Sequence, residues 1–137
     1  MDEAEFKRRT TAVGLEILAL CDSAPHKPGA QAIVRQLTRS ATSVGANYRA
    51  ACRARSAKDL VYKLGIVEEE ADESVYWLEL LAAGGYLRAD QIAPVRREMN
   101  EIVAMTVASR RTLRRRIDGT EGSGPNPKSK IAESKIR

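Results

Sequence analysis

The 137-residue sequence predicts an all-α fold, an antiparallel up-down-up-down four-helix bundle. Three observations carry that prediction. Apolar residues recur every three or four positions through four long segments, the period of a helix with one buried face. Short breaks containing Pro or Gly separate most of the segments, and short connections make successive helices antiparallel neighbours. The 43% apolar content is mostly Ala, Leu, Ile and Val, with Phe6, Trp77 and four tyrosines as the aromatics, which suits close-packed helices better than sheets. A chain of this size can bury a core without disulfide or metal support.

The first helix is expected over residues 4–22, with Phe6, Thr10, Val13, Ile17 and Leu20 in register on its apolar face. Pro25, Pro28 and Gly29 end it. The second runs from about 29 to 54 with the stripe Ile33, Leu37, Ala41, Val44, Tyr48, Cys52. On its other side Arg35, Arg39, Arg49 and Arg53 fall within about 80° at about 100° per residue, a basic face. Ser56 is a good N-cap for the third helix, and Asp59 completes an S-x-x-D start. Its core stripe is Leu60, Leu64, Val67, Ala71, Val75, Leu78 and Ala82. Glu68, Glu69, Asp72, Glu73 and Glu79 lie away from that stripe. Toward its end Val75-Tyr76-Trp77-Leu78 and Leu80-Leu81 are apolar on several faces, which points to a subunit contact involving Glu69, Glu70, Glu73, Tyr76, Trp77, Leu80 and Leu81. Gly84-Gly85 supplies a C-cap and turn. The fourth helix starts near residue 89, with Pro94 placed in its first turn. Its stripe is Ile92, Val95, Met99, Ile102, Thr106, Ser109 and Leu113, a near-heptad spacing suited to a left-handed bundle. The bundle is thus expected over residues 1–117. Residues 118–137, rich in Gly, Ser, Pro and Lys, are expected to form a disordered basic tail.

Charge is unevenly distributed. Residues 1–55 hold nine bases against five acids, 56–87 two against seven, and 88–118 eight against four, so one acidic segment lies between basic ones within a net +5. Pairing between adjacent helices accounts for part of this. The surplus base must face solvent, another subunit or a polyanion. The basic residues form three sets: Arg35, Arg39, Arg49, Arg53 and Arg55 on or just after the second helix; Arg110, Arg111, Arg114, Arg115 and Arg116 at the end of the fourth; and Lys128, Lys130, Lys135 and Arg137 in the tail. Helix-dipole compensation is worth about 0.3–1 kcal/mol per residue at a C-terminus, too little to explain five arginines in seven positions that repel one another. The two arginine sets on the helices are the candidate nucleic-acid-binding residues. With few aromatics, contact with a polyanion should be driven by shape and charge.

Chemistry is not expected. The carboxylate run Glu68-Glu69-Glu70, Asp72-Glu73 resembles a metal-binding set only superficially, because helical carboxylate sites pair inward-pointing Glu with His, and no predicted helix contains histidine. His26 stands in a loop without a second His or Cys beside it. No hydroxyl has a histidine to activate it, and no nucleophile elbow, phosphate loop or dinucleotide fingerprint is present. Cys21 and Cys52 belong to no C-x-x-C pair and are expected as reduced core residues. No catalytic residue, metal or cofactor is therefore expected. No stretch is apolar enough to span a membrane, and the acidic N-terminus does not resemble a signal peptide, so a cytoplasmic protein is expected.

Residues 36–87 resemble the four-helix-bundle proteins of the 23S rRNA intervening-sequence family. Ser43, Val44 and Asn47 match its S-[IV]-x-x-N element, and Arg53, Arg55 and Ser56 its basic junction. Glu73, Leu80 and Gly85-Tyr86-Leu87 match its long third helix and the turn that follows. The resemblance implies an antiparallel bundle, often a homopentamer. Through the related accessory proteins of diversity-generating retroelements, it also implies nucleic acid and a reverse transcriptase as partners. One departure is Ala50, where many members carry an acid. Two readings remain open: a non-enzymatic oligomer that binds RNA or DNA backbone through arginine faces, and an assembly or adaptor protein whose Arg and Glu faces pair between subunits.

Overall fold

A computed structural model describes residues 2–119, and the tail lysines and Arg137 lie outside the described residues. Among the described residues there are four helices and no strand: α1 (Glu3–Asp22), α2 (Pro28–Cys52), α3 (Ala57–Ala83) and α4 (Ala89–Gly119). Each packs on its neighbours in chain order, and α4 returns to α1. The expected antiparallel bundle is the observed one. The central helix is α3, which packs extensively on both α2 and α4, whereas α1 rests mainly on α2 and meets α4 least. No helix among the described residues is long and apolar enough to cross a membrane.

Local chemistry explains the boundaries. Asp2 caps α1 by accepting the Glu5 amide at 2.8 Å. Ser56 Oγ accepts the Asp59 amide at 3.1 Å, and the Asp59 carboxylate accepts the Arg55 amide at 3.1 Å, so two otherwise orphan donors are satisfied where α3 begins. After α3, Gly85 takes φ +73°, and the Tyr86 and Gly85 amides donate to Leu81 and Ala82 carbonyls at 3.0 Å each. That is a Schellman closure, and it needs a residue free of Cβ at the left-handed position. The turn directs Tyr86 against α2, where a Cβ on Gly29 would lie 2.5 Å from the Tyr86 hydroxyl.

The core follows the expected stripes with local differences. In α4 the buried residues are Ile92, Val95, Met99, Ile102, Thr106, Ser109 and Leu113, the stripe read from spacing. In α1 Cys21 takes the last buried position and Leu20 is only partly buried. In α2 Ile33 and Cys52 are likewise only partly buried, while Ala30, Ser40 and Ala51 are buried. Pro94 lies inside α4, in its second turn rather than its first, because the helix already starts at Ala89. The helix also continues past the expected end at 117 to Gly119. Leu81, expected at a subunit contact, has 0% exposure. It stands three residues after Leu78, which keeps it on the core side of α3 and leaves it no surface to offer a partner.

Small residues set the close contacts between helices. Ser74 Oγ donates to Ser40 Oγ at 2.9 Å across α2 and α3, and also lies 2.8 Å from its own helix at the Glu70 carbonyl. Gly45 faces Thr10 of α1, and Gly14 faces the α2 backbone at Ala41. Phe6 and Tyr48 meet with ring centroids 4.4 Å apart.

Candidate nucleic-acid interface

Two of the candidate arginines hold helices together. Arg39 of α2 donates to Glu73 at 2.8 Å and to Glu70 at 3.3 Å on α3. The Arg39 hydrogen bond, helped by one from the Trp77 indole at 3.2 Å, holds the Glu73 carboxyl below the usual carboxylate range against the opposing effect of burial. Arg110 of α4 donates to Glu68 at 2.9 Å and to the Val61 carbonyl at 3.2 Å. Its guanidinium lies over Gly65, where a Cβ would come within 3.2 Å of Nη2. The Arg110 side chain is only 24% exposed, so it is first a strut between α3 and α4.

A third strut involves a residue that sequence reasoning passed over. Arg9 of α1 donates through Nε to Glu98 of α4 at 2.8 Å and through Nη2 to Glu101 at 3.0 Å. The Arg9 hydrogen bond lowers the Glu98 pKa, opposed by burial. A signal was available: Arg9 stands three positions after Phe6 on the flank of the α1 stripe, and the acids it meets are spaced i, i+3.

The remaining candidates are exposed and gather by topology. Because the helices alternate in direction, the C-termini of α2 and α4 reach the same end of the bundle. Arg49 lies in the last turn of α2, Arg53 caps it, and Arg55 follows. Arg111, Arg114, Arg115 and Arg116 occupy the final turns of α4. Among the described residues, Arg49, Arg53, Arg111, Arg114 and Arg115 have no carboxylate partner, whereas Arg55 sits beside the Asp59 carboxylate, which accepts its amide. Arg35 is also exposed, but it lies near the start of α2, toward the opposite end.

Between the first half of α3 and the end of α4 runs an open groove of about 390 Å³. Lys58, Tyr62, Ile66 and Glu69 line it from α3, and Arg110 and Arg114 from α4. The four α3 residues are spaced four, four and three, which sets them on one outward ridge. That spacing was legible in the sequence. Tyr62 is 68% exposed, the most exposed of the large apolar side chains among the described residues.

The acidic run separates into two groups. Glu68, Glu70 and Glu73 are engaged by Arg110 and Arg39, while Glu69 and Asp72 are exposed. Among the described residues no group of three or more His, Cys, Asp or Glu is placed to hold a metal ion. Further along α3, Tyr76 is 53% exposed and stacks edge-on to Trp77 with centroids 4.8 Å apart. Trp77 packs partly buried on the core, and Leu80 is half-buried beside it.

Comparison with known proteins returns a family model, that of the 23S rRNA-intervening sequence proteins, over residues 3–108. Among solved structures, a protein of unknown function from the S23 ribosomal protein family of Bacteroides thetaiotaomicron VPI-5482 is similar. It has 30% sequence identity and a TM-score of 0.74, with 81% of this chain and 99% of that chain covered. Comparison with curated proteins returns no match.

Proposed function

Since the chain belongs to the family of 23S rRNA-intervening sequence proteins, we propose that it is a non-enzymatic, oligomeric helical bundle that binds RNA or DNA backbone through the arginine-rich end. The observation that carries this reading is the contrast between two kinds of arginine. Arg9, Arg39 and Arg110 are satisfied by carboxylates inside the chain. Arg49, Arg53, Arg111, Arg114 and Arg115 are exposed at one end without such partners among the described residues. Mutually repelling guanidiniums at one end are stabilised by an external polyanion, and a phosphate backbone is the polyanion the family description suggests.

The reading predicts affinity for RNA or DNA that falls steeply with salt, by roughly 0.7–0.9 log unit per log unit of salt for each phosphate neutralised. Reversing Arg111, Arg114 and Arg115 to Glu together should weaken binding to all nucleic acids and flatten that slope. An absence of binding at about 50 mM salt, or binding indifferent to salt, overturns the proposal. In its narrower forms the ligand is a ribosomal RNA insertion or the template of a reverse transcriptase, and the neighbouring genes discriminate between them.

A second reading, assembly through paired Arg and Glu faces, is supported by the exposed Tyr76 on α3 beside Trp77 and by Glu69 and Asp72, which are exposed and have no cationic partner among the described residues. Its acids are partly spoken for, because Glu70 and Glu73 already bind Arg39 of the same chain. Mass measurement of Tyr76→Ala and Glu69→Lys tests it. If both variants keep the parent mass, contact through this flank fails.

A further inference from the structure

We propose that the groove between α3 and α4 is a binding site for a single unpaired nucleotide of a nucleic-acid strand, with Tyr62 as the stacking platform and Lys58 and Arg114 as the phosphate contacts. This rests on the nucleic-acid reading above and deepens it by naming single-stranded nucleic acid as the preferred class. Three features of the groove support it.

The first is an aromatic where a helix should show only polar residues. Tyr62 projects from the outward ridge of α3 at 68% exposure, with Lys58 a turn before it and Ile66 a turn after. A lone exposed tyrosine would need no explanation. One lying in a groove whose near end holds Lys58 and Arg114 presents a flat apolar face with phosphate-binding charge beside it, the pairing that holds single strands. Duplexes keep their base faces stacked inside, so they can use the charges but not the ring.

The second is the division of labour between the two α4 arginines. Arg110 is fixed by Glu68 and the Val61 carbonyl, and it lies flat because Gly65 has no side chain. It forms a rigid wall. Arg114, one turn on, is exposed and has no carboxylate partner among the described residues, so its charge is available.

The third is polarity along the groove. Lys58 and Glu69 are about 16 Å apart along the helix axis at 1.5 Å per residue. Lys58 and Arg114 make the end near the arginine-rich tip positive, and the exposed Glu69 makes the inner end negative. The phosphate therefore lies at the Lys58 end and the base over Tyr62 and Ile66. There Glu69 can accept a hydrogen bond from an exocyclic amine, as carboxylates do from cytosine N4.

The test is fluorescence anisotropy on the full chain with labelled oligouridylate, oligodeoxythymidylate, oligocytidylate and a duplex of matching length. Tyr62→Ala should weaken single-strand binding about fivefold or more and change duplex binding less than about twofold, while Tyr62→Phe retains the parent affinities. Glu69→Gln should lower affinity for oligocytidylate more than for oligodeoxythymidylate, which lacks the amine. Equal effects of Tyr62→Ala on single strands and duplex, or none, overturn this proposal and leave the backbone-binding reading intact. A fall in particle mass for Tyr62→Ala also overturns it, by assigning the groove to a second copy of the chain. No binding of any oligonucleotide by the parent protein overturns both.

Discussion

Leu81 and Tyr76 stand five residues apart in one apolar stretch, yet they do different work. Leu81 is sealed in the core, so Leu81→Ala should destabilise the fold by about 2–5 kcal/mol in urea unfolding, with a cavity left behind. Tyr76 is exposed, so Tyr76→Ala should leave the unfolding midpoint within about 0.5 kcal/mol of the parent. A large loss at Tyr76 and a small one at Leu81 would contradict this placement. At Gly65 two effects compete. Ala improves helix propensity by about 1 kcal/mol, but its Cβ would press on the Arg110 guanidinium, 3.2 Å from Nη2. Arg110 is anchored by Glu68 and the Val61 carbonyl and has little room to give. Gly65→Ala should therefore gain nothing in thermal unfolding, whereas Gly65→Ala with Arg110→Ala should recover the propensity gain relative to Arg110→Ala alone. At this scale the sequence was least legible. A charged side chain read by itself does not reveal whether a carboxylate of another helix will meet it, so Arg39 and Arg110 looked like Arg114 until the helices were packed.

Elements were far easier to read, because their causes are local. The stripe of α4 emerged in full from its spacing, and the start of α3 from Ser56 and Asp59. Ser56→Ala should cost about 1 kcal/mol of stability, and Ser56→Asp, which restores an acceptor, should retain most of it. Equal losses in the two variants by urea unfolding would count against the cap. Where the reading missed, the reason lies in packing. Cys21 took the last core position of α1 because the neighbouring helices bury that side of the final turn, and Leu20 swung to the margin. The groove escaped notice for a related reason. Lys58, Tyr62, Ile66 and Glu69 form a visible ridge, but its opposite wall comes from α4 and exists only after folding.

For the molecule as a whole, the weakest seam is the one between α1 and α4, and the Arg9 pairs span it. The α1 amides should accordingly exchange with solvent before those of α3 in native-state hydrogen exchange, since α3 is packed on both sides. Uniform protection across the helices would refute that order. The Arg9–Glu98 pair across this seam and the Arg39–Glu73 pair between α2 and α3 also set an acid response. The folded pKa values of Glu98 and Glu73 lie below the ordinary carboxylate value, so the unfolded chain binds more protons than the native one in acid. Their contribution is complete above about pH 4.3 and is lost as pH falls through the lowered folded values. Arg9→Met should remove the Glu98 share and so flatten part of that acid limb in a urea-midpoint series, and an unchanged limb would show that the pair does not contribute to it. The alternating course of the chain has one more consequence. Adjacent helices run oppositely, so their backbone dipoles oppose one another and leave the side-chain arginines to polarise the long axis. Such a molecule experiences a torque near a polyanion and turns its tip toward it before contact. It would arrive tip first, touching few phosphates per protomer, and the flanks away from the α3–α4 groove would stay free for neighbours. Grip on a long strand would then grow by adding protomers side by side rather than by enlarging any one footprint.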